Sequence, residues 1–312
     1  MHDDYQSIIN ALLTERDELK EHCERLQRLL DRTAYPPGHY YSPAVDPADA
    51  YAMRAVRERV SAPVPPGVSV DLERMQALLR RFAVHHRLWP FVPHQGPGYR
   101  FYYENPFFGC HDGSVYFSML LEYRPRRVIE IGAGFSSCLL LDTRERFLSG
   151  DIDITLIDPS FDRLDQLTDA SRLSPSPERV RLLECPLQDV PGHVFDQLGV
   201  NDILFIDSSH VAKTGSDVNC CLFEILPRLA PGVLIHVHDI LYPFEYPESW
   251  IVDDKRSWNE AYIMHAFLQY NDAFEILYWN NVIYHRSREL LQSLMPLCLE
   301  NEGGSLWLRK LK

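Results

Sequence analysis

The chain has 312 residues, 46% hydrophobic and 24% charged, which is globular composition and length enough for one large domain with an appendage. Lysine and arginine number 31 against 44 aspartate and glutamate, a formal net charge of −13. Such an acidic surface repels phosphate backbones and anionic headgroups, and no basic run is dense enough to override it, so neither nucleic acid nor membrane is expected as a partner.

The opening Met1-His-Asp-Asp-Tyr5 is acidic where a secretory signal would be basic and then apolar. No stretch approaches the roughly 18 uncharged apolar residues of a spanning helix. Seven cysteines are scattered without CxxC or zinc spacing. These features predict a cytoplasmic, reducing location with free thiols.

Residues 1–32 form the first segment. Tyr5, Ile9, Leu12, Arg16, Leu19, Cys23, Leu26 and Leu30 recur at alternating steps of four and three, the spacing of a heptad seam. Charges fill the other positions, and Pro36-Pro37 ends the helix. The narrow stripe suits a short coiled coil and a homo-oligomer; a helix lying back on the main domain is the other reading. Residues 33–70 turn to Pro, Tyr, Ala and Gly and read as an extended linker with a short helical piece near 48–60. Residues 71–125 read as a cap. Met75, Leu78, Leu79 and Phe82 mark one side of a helix over 71–90, followed to Phe108 by a Pro-, Gly- and aromatic-rich loop of the kind that lines pockets.

From 126 to 312 the pattern is regular. Apolar runs at 127–131, 153–157, 180–184, 202–206 and 232–237 alternate with helical or polar stretches around 136–148, 162–172, 189–198 and 217–229. Two more runs, 273–279 and 305–309, follow a helix at 257–270. The alternation predicts an α/β fold, a doubly wound, Rossmann-like seven-stranded sheet with an N-terminal helical extension.

The first strand runs into Glu130-Ile-Gly132-Ala-Gly134-Phe-Ser136-Ser137 and then a helix. Glycines at that turn admit a ligand to the backbone, and the helix N-terminus offers unpaired N–H groups. Asp158 closes the second strand, where a carboxylate accepts hydrogen bonds from both ribose hydroxyls. A dinucleotide fingerprint would require glycine at 137, where the chain has Ser137.

The pattern E-x-G-x-G-x-S instead resembles motif I of the class I S-adenosylmethionine-dependent methyltransferases, and the resemblance extends over roughly residues 100–310. Asp202-Ile-Leu-Phe-Ile-Asp207-Ser-Ser-His210 is similar to the fourth motif of small-molecule O-methyltransferases, with Ser208 in place of the usual glycine. Leu229-Ala-Pro-Gly232 through His238-Asp239 is similar to the fifth-strand motif. The resemblance implies S-adenosylmethionine as cofactor and a hydroxyl of a small molecule or glycan as acceptor, in the branch found with sugar and natural-product pathways. It implies that Glu130, Gly132, Gly134, Ser136 and Ser137 face the methionine moiety, that Asp158 holds the ribose, and that Gln188 and Asp189 meet the adenine. It also implies that strands six and seven close the sheet as a hairpin.

Asp207 ends strand four and His238-Asp239 ends strand five, so all three border one crevice. Methyl transfer to oxygen needs a group that takes the hydroxyl proton, a role that suits histidine. His210 and His238 are the candidate bases, beside Asp207 and Asp239; His236, deeper on the same strand, reads as a core histidine. A divalent metal is the competing use of Asp207 and Asp239, but Ile240 stands where metal-dependent relatives offer a second oxygen, so metal-free catalysis is the expectation. Tyr242, Glu245, Tyr246, Trp258 and Tyr262 are candidates for stacking and binding the acceptor, with loop packing as the other reading. Tyr103, Asn105 and Asp112 are placed in a loop that closes over the cofactor, with Tyr103 and Asn105 as its ligands. A nicotinamide-dependent oxidoreductase and an inactive scaffold are the alternatives; fold alone does not decide among them.

Overall fold

The computed structural model describes residues 2–31, 34–96, 98–168 and 179–312. Helices α1 (His2–Leu30), α2 (Ala50–Glu58), α3 (Leu72–His86) and α4 (Cys110–Tyr123) come first. Then follow β1 (Arg127–Ile131), α5 (Phe135–Phe147), β2 (Asp153–Asp158), α6 (Asp162–Leu167), β3 (Val180–Glu184), β4 (Ile203–Ile206), α7 (Asp217–Cys220) and β5 (Leu234–Val237). The chain ends with α8 (Glu248–Val252), α9 (Glu260–Leu268), β6 (Phe274–Trp279), α10 (Asn280–Arg286), α11 (Arg288–Leu294) and β7 (Leu306–Lys310). Two compact units result: residues 1–54 with 248–257, and residues 55–247 with 258–312. In the first, Tyr35 stacks on His39 at 4.5 Å beyond the end of α1. The second holds the sheet and all the chemistry described below. No helix among the described residues is long and apolar enough to cross a membrane.

The seven strands lie in the order β3-β2-β1-β4-β5-β7-β6, parallel except for β7. Strands β4 and β5 are buried at every position, as central parallel strands covered on both faces must be, whereas β3 at the edge is half exposed. The register sets Ile131 beside both Ile157 and Ile206, and Ile206 beside Val237. The next residues, Gly132, Asp158, Asp207 and His238, therefore leave the sheet side by side along its carboxyl edge. The strand order reverses between β1 and β4, where open α/β sheets bind their ligands.

Helix α3 buries Met75, Leu78, Leu79 and Phe82, and the side chain of Asp71 caps its N-terminus by accepting the Arg74 N–H at 2.9 Å. Helix α4 is buried at every residue from Cys110 to Leu121 and sets the Tyr116 ring 4.6 Å from that of Phe205 in β4. The aromatic loop before it is pinned to α5: the Arg100 guanidinium pairs with Asp142 at 2.7 Å and Glu145 at 2.9 Å, and Asp142 also accepts the N–H groups of Arg100 and Phe101. Residues after Arg59 are docked on this unit, with Arg59 donating to the Tyr242 carbonyl at 3.2 Å and pairing with Glu302 at 3.1 Å.

Four expected elements differ. Strands six and seven are antiparallel neighbours but no hairpin: α10, α11 and a 3-10 turn at Pro296–Leu299 lie between them, burying Val282, Ile283, Leu291 and Met295 as a packed cover. The stretch 189–198 is a pair of 3-10 turns, Leu187–Asp189 and Gly192–Gln197, broken by Pro191. The stretch 217–229 is α7, a π-helix at Cys221–Ile225, and a 3-10 turn holding Pro227. Helix α6 fills only the first part of 162–172, and residues 169–172 lie outside those described.

Asp202 opens β4 from the opposite end of the sheet, 3% exposed, and its carboxylate accepts the N–H groups of Arg126, Arg127 and Gly199, each at 2.9 Å. An Asp202→Ala protein leaves those donors unpaired and is expected to lose about 3 kcal/mol of stability. Urea midpoints of the two proteins at equal slope test this; a loss within a few tenths would deny the site its structural role.

Candidate active site

The glycine turn after β1 is set by backbone alone. Gly132 has φ +85°, and a Cβ there would stand 1.8 Å from the carbonyl oxygen of Asp207. The next N–H, of Ala133, donates to Asp158 Oδ2 at 2.8 Å, while Asp158 Oδ1 accepts the Ser160 N–H at 2.9 Å. Each Asp158 oxygen retains a lone pair for a further donor. Ser137 accepts the Gly134 N–H at 3.1 Å, half of a capping box for α5, and donates to Glu130 Oε1 at 2.8 Å; Ser136 donates to the same oxygen at 2.5 Å. Both hydroxyl protons are thus spent on Glu130. Glu130 Oε2 is buried with no hydrogen-bond partner among the described residues, and burial pushes this carboxyl up to about 8. Beside the turn, a cavity of about 270 Å³ is lined by Ile131, Ile157, Pro159, Leu187, Gln188 and Ser209, among others. The amide of Gln188 donates to the Gly215 carbonyl at 2.6 Å on its rim, and Asp189 is exposed next to it.

Across the β1–β4 reversal, the loop after β4 brings His210 back to the edge. His210 adopts φ +59°, a conformation uncommon without glycine, and its carbonyl accepts the N–H groups of Asn259 and Glu260 at the start of α9. Its imidazole Nδ1 stands 2.9 Å from Glu260 Oε2, and Nε2 stands 3.3 Å from Asp207 Oδ1 and 3.8 Å from Asp239 Oδ2. The Trp258 ring lies against it, 4.2 Å between centroids. Burial opposes charge on this ring, but the hydrogen bonds to Asp207 and Glu260 outweigh it and hold His210 well above the usual histidine range. Burial likewise opposes ionisation of Asp207, and the charges of His238 and His210 override it and hold the acid well below its ordinary value. Both directions favour the pair of charged His210 and ionised Asp207 at pH below the raised His210 value.

His238 is 3% exposed, with Nε2 at 3.5 Å from Asp239 Oδ1 and Nδ1 without a partner among the described residues. Burial pushes it down and the nearby Asp239 and Asp207 carboxylates more than compensate, so it too sits above the usual value. His236 stacks on Phe205 at 3.7 Å and bonds Ser305 Oγ at 2.8 Å; burial drives it well below the histidine range, as befits a core residue.

Several expected ligands are committed elsewhere. Asn105 spends its whole amide on its own loop, donating to the Tyr102 and Phe108 carbonyls at 2.7 and 2.8 Å and accepting the Phe107 and Phe108 N–H groups at 3.0 and 2.7 Å. Asp112 lies in the first turn of α4, not in a loop, and its buried carboxylate binds Gly304 N, Ser305 N, Ser305 Oγ and Asn280 Nδ2. Tyr103 has its phenol pushed up by burial and by the charges of Glu300 and Glu104; among the described residues no hydrogen bond joins it to the glycine turn. Tyr242 is buried with its hydroxyl on the Ala62 carbonyl at 2.9 Å, and the Tyr246 hydroxyl accepts the Ala261 N–H at 3.0 Å, so both aromatics build the loop after β5. Trp258 lies against His210, and the Tyr262 hydroxyl donates to Glu245 at 2.6 Å. Glu260, which completes the His210 environment, was not expected; an acid in the first turn of a helix reads in sequence as a dipole partner.

Among the described residues no three His, Cys, Asp or Glu side chains form a ligand group, and the carboxylates of Asp207 and Asp239 both face the His210 imidazole.

Residues 129–240 match the methyltransferase domain family. An uncharacterised protein of Archaeoglobus fulgidus is 29% identical over 175 residues, 54% of this chain and 76% of that protein. Among solved structures, the O-methyltransferase TomG of Streptomyces achromogenes, in complex with S-adenosylmethionine, is 15% identical with a TM-score of 0.41, covering 78% of this chain and 92% of that one. The Podospora anserina methyltransferase PaMTH1, bound to S-adenosylhomocysteine, is 14% identical with a TM-score of 0.42, covering 86% and 99%. The segment that matches the methyltransferase domain family carries Glu130, Gly132, Gly134, Asp158, Asp207, His210 and Asp239.

Proposed function

We propose that this chain is an S-adenosylmethionine-dependent methyltransferase acting in the cytoplasm on a hydroxyl of a small molecule or glycan, with His210 as the base. One observation carries the reading: the glycine turn and the Asp207–His210–Glu260 group meet on one sheet edge, joined through the Gly132–Asp207 backbone contact. The orphan oxygen of Glu130, the free lone pairs of Asp158 and the adjoining cavity suit the ammonium, ribose and base of the cofactor in turn. S-adenosylmethionine supplies, when bound, a sulfonium methyl group open to attack by oxygen. Glu260 fixes the His210 ring through Nδ1 and sets Nε2 beside Asp207 at the sheet edge, the base-and-orienter arrangement of acid–base catalysis. Asp207, Glu260 and Asp239 stabilise the imidazolium formed when Nε2 takes the acceptor's proton. Trp258 and the Glu245–Tyr262 pair border the acceptor side. The acidic surface fits a small acceptor better than a nucleic acid.

Removing the Asp158 carboxylate costs the ribose two charge-assisted hydrogen bonds, so Asp158→Ala is expected to weaken S-adenosylhomocysteine binding about tenfold or more by calorimetry. Unchanged affinity would end the ribose assignment.

A base works only when neutral, and the neutral fraction falls as pH drops below its pKa. Because the His210 pKa is raised, the ascending limb of kcat/KM against pH is expected above 6.5. Glu260→Gln removes one of the groups that raise it and is expected to move the limb to lower pH while reducing kcat. His210→Ala is expected to lower kcat about 100-fold or more with cofactor affinity kept. A limb that stays put in Glu260→Gln would transfer the role to another group, His238 first.

A further inference from the structure

Helix α1 runs for 29 residues, about 43 Å at 1.5 Å per residue, without a proline or glycine. Its apolar side chains are exposed: Ile9 by 48%, Leu12 and Leu19 by 59% each, and Leu26 by 46%. Taking Leu12, Leu19 and Leu26 as d positions puts Ile9, Arg16 and Cys23 at a. Leucine at each of these d positions, with β-branched Ile9 at the first a, favours two parallel strands. The flanking positions agree. In a parallel, in-register pair, each g position faces the e position of the next heptad on the other strand, which sets Glu15 against the partner subunit's Lys20, twice by symmetry. The same geometry sets Ile8 against the partner subunit's Leu13, both exposed and apolar, which widens the seam at its start. An antiparallel pair sets g against g, and the g positions Ile8, Glu15 and His22 offer Glu15 no lysine. Arg16, tied to the neighbouring Asp17 at 2.6 Å, is the one charged residue at a; it fixes register and weakens the pair.

We propose that α1 joins a second copy of this chain in a parallel, in-register, two-stranded coiled coil over residues 5–26. This stands apart from the methyl-transfer reading, since it uses no residue of the sheet unit. Three heptads with an arginine in the seam give a weak, concentration-dependent dimer. Sedimentation velocity of the full chain across a concentration series is expected to show it. Leu19→Lys is expected to leave only monomer, and Arg16→Ile to tighten the dimer about tenfold or more by removing a charge from the seam. Mild oxidation with diamide is expected to trap the dimer through the exposed Cys23, which the register puts opposite the partner's Cys23, and Cys23→Ser to abolish the trapped band. An antiparallel pair centred on Arg16 would hold the two thiols about 20 Å apart. A monomer at every concentration, a dimer indifferent to Leu19→Lys, an Arg16→Ile chain no tighter than the parent, or a dimer that Cys23 does not trap would each overturn the proposal.

Discussion

The carbonyl oxygen of Asp207 occupies the space that any side chain at position 132 would need. That contact is backbone against backbone, so no repacking relieves it, and the positive φ of Gly132 carries a second, independent demand for glycine. The turn is also tied to both flanking strands: Gly132 N–H donates to the Ile157 carbonyl and Asp207 N–H to that of Ile131, each at 2.9 Å. The ends of β2, β1 and β4 are thereby locked into one row. The distance between the side that suits a nucleoside, at Asp158, and the side that suits proton transfer, at Asp207 and His210, is set by hydrogen-bonded backbone rather than by side chains. A catalytic group placed this way stays within the tolerance that in-line group transfer requires.

Electrostatics depend on that placement. Three carboxylates, Asp207, Glu260 and Asp239, converge on one buried imidazole. Burying an acid without a partner is expensive, and here the rings of His210 and His238 offset that cost together. The cluster is asymmetric: Asp207 is held low, while burial pushes Glu260 and Asp239 up. Loss of the ring would leave those acids to repel one another, so truncating His210 affects more than proton transfer. The loop shares in the arrangement, because the carbonyl of His210 accepts from the same Glu260 whose carboxylate holds its ring. Side chain and main chain thus agree on one position for His210, which is how a left-handed residue is sustained.

The strands were legible because each is a short apolar run bounded by turn residues, and the row of Gly132, Asp158, Asp207 and His238 along the carboxyl edge followed from where those runs end. Helix α4 was not, for a physical reason: it is buried all round, so it carries no amphipathic stripe to find. The cover made by α10 and α11 was missed because a helical insertion between two strands leaves no mark on the strands themselves. Asn105, Tyr242 and Tyr246 all spend polar atoms on loop backbone, for a common reason. Amides and phenols near strand ends are as useful for satisfying loop backbone as for binding ligands, and only the partners distinguish the two uses. Glu260 lies fifty residues from His210 in sequence, and nothing local to either residue reports that they meet.

Hydrogen-bond saturation separates the buried acids of this chain into two kinds. Asp112 accepts from the turn at 303–305 and from Asn280; Asp142 accepts from Arg100 and Phe101; Asp202 accepts from three backbone donors. All three are buried, and both oxygens of each are engaged by the protein. Glu130 differs. Both of its donors crowd onto Oε1, and Oε2 is the only buried carboxyl oxygen among the described residues without a partner. Leaving such an atom unpaired in the free protein costs about 1–3 kcal/mol, a penalty that a cationic ligand at the glycine turn would relieve. The unsaturated acid sits two residues before Gly132, in the strand that leads into the row formed by Gly132, Asp158, Asp207 and His238. The sheet edge is thus the place where the fold keeps its polar capacity in reserve.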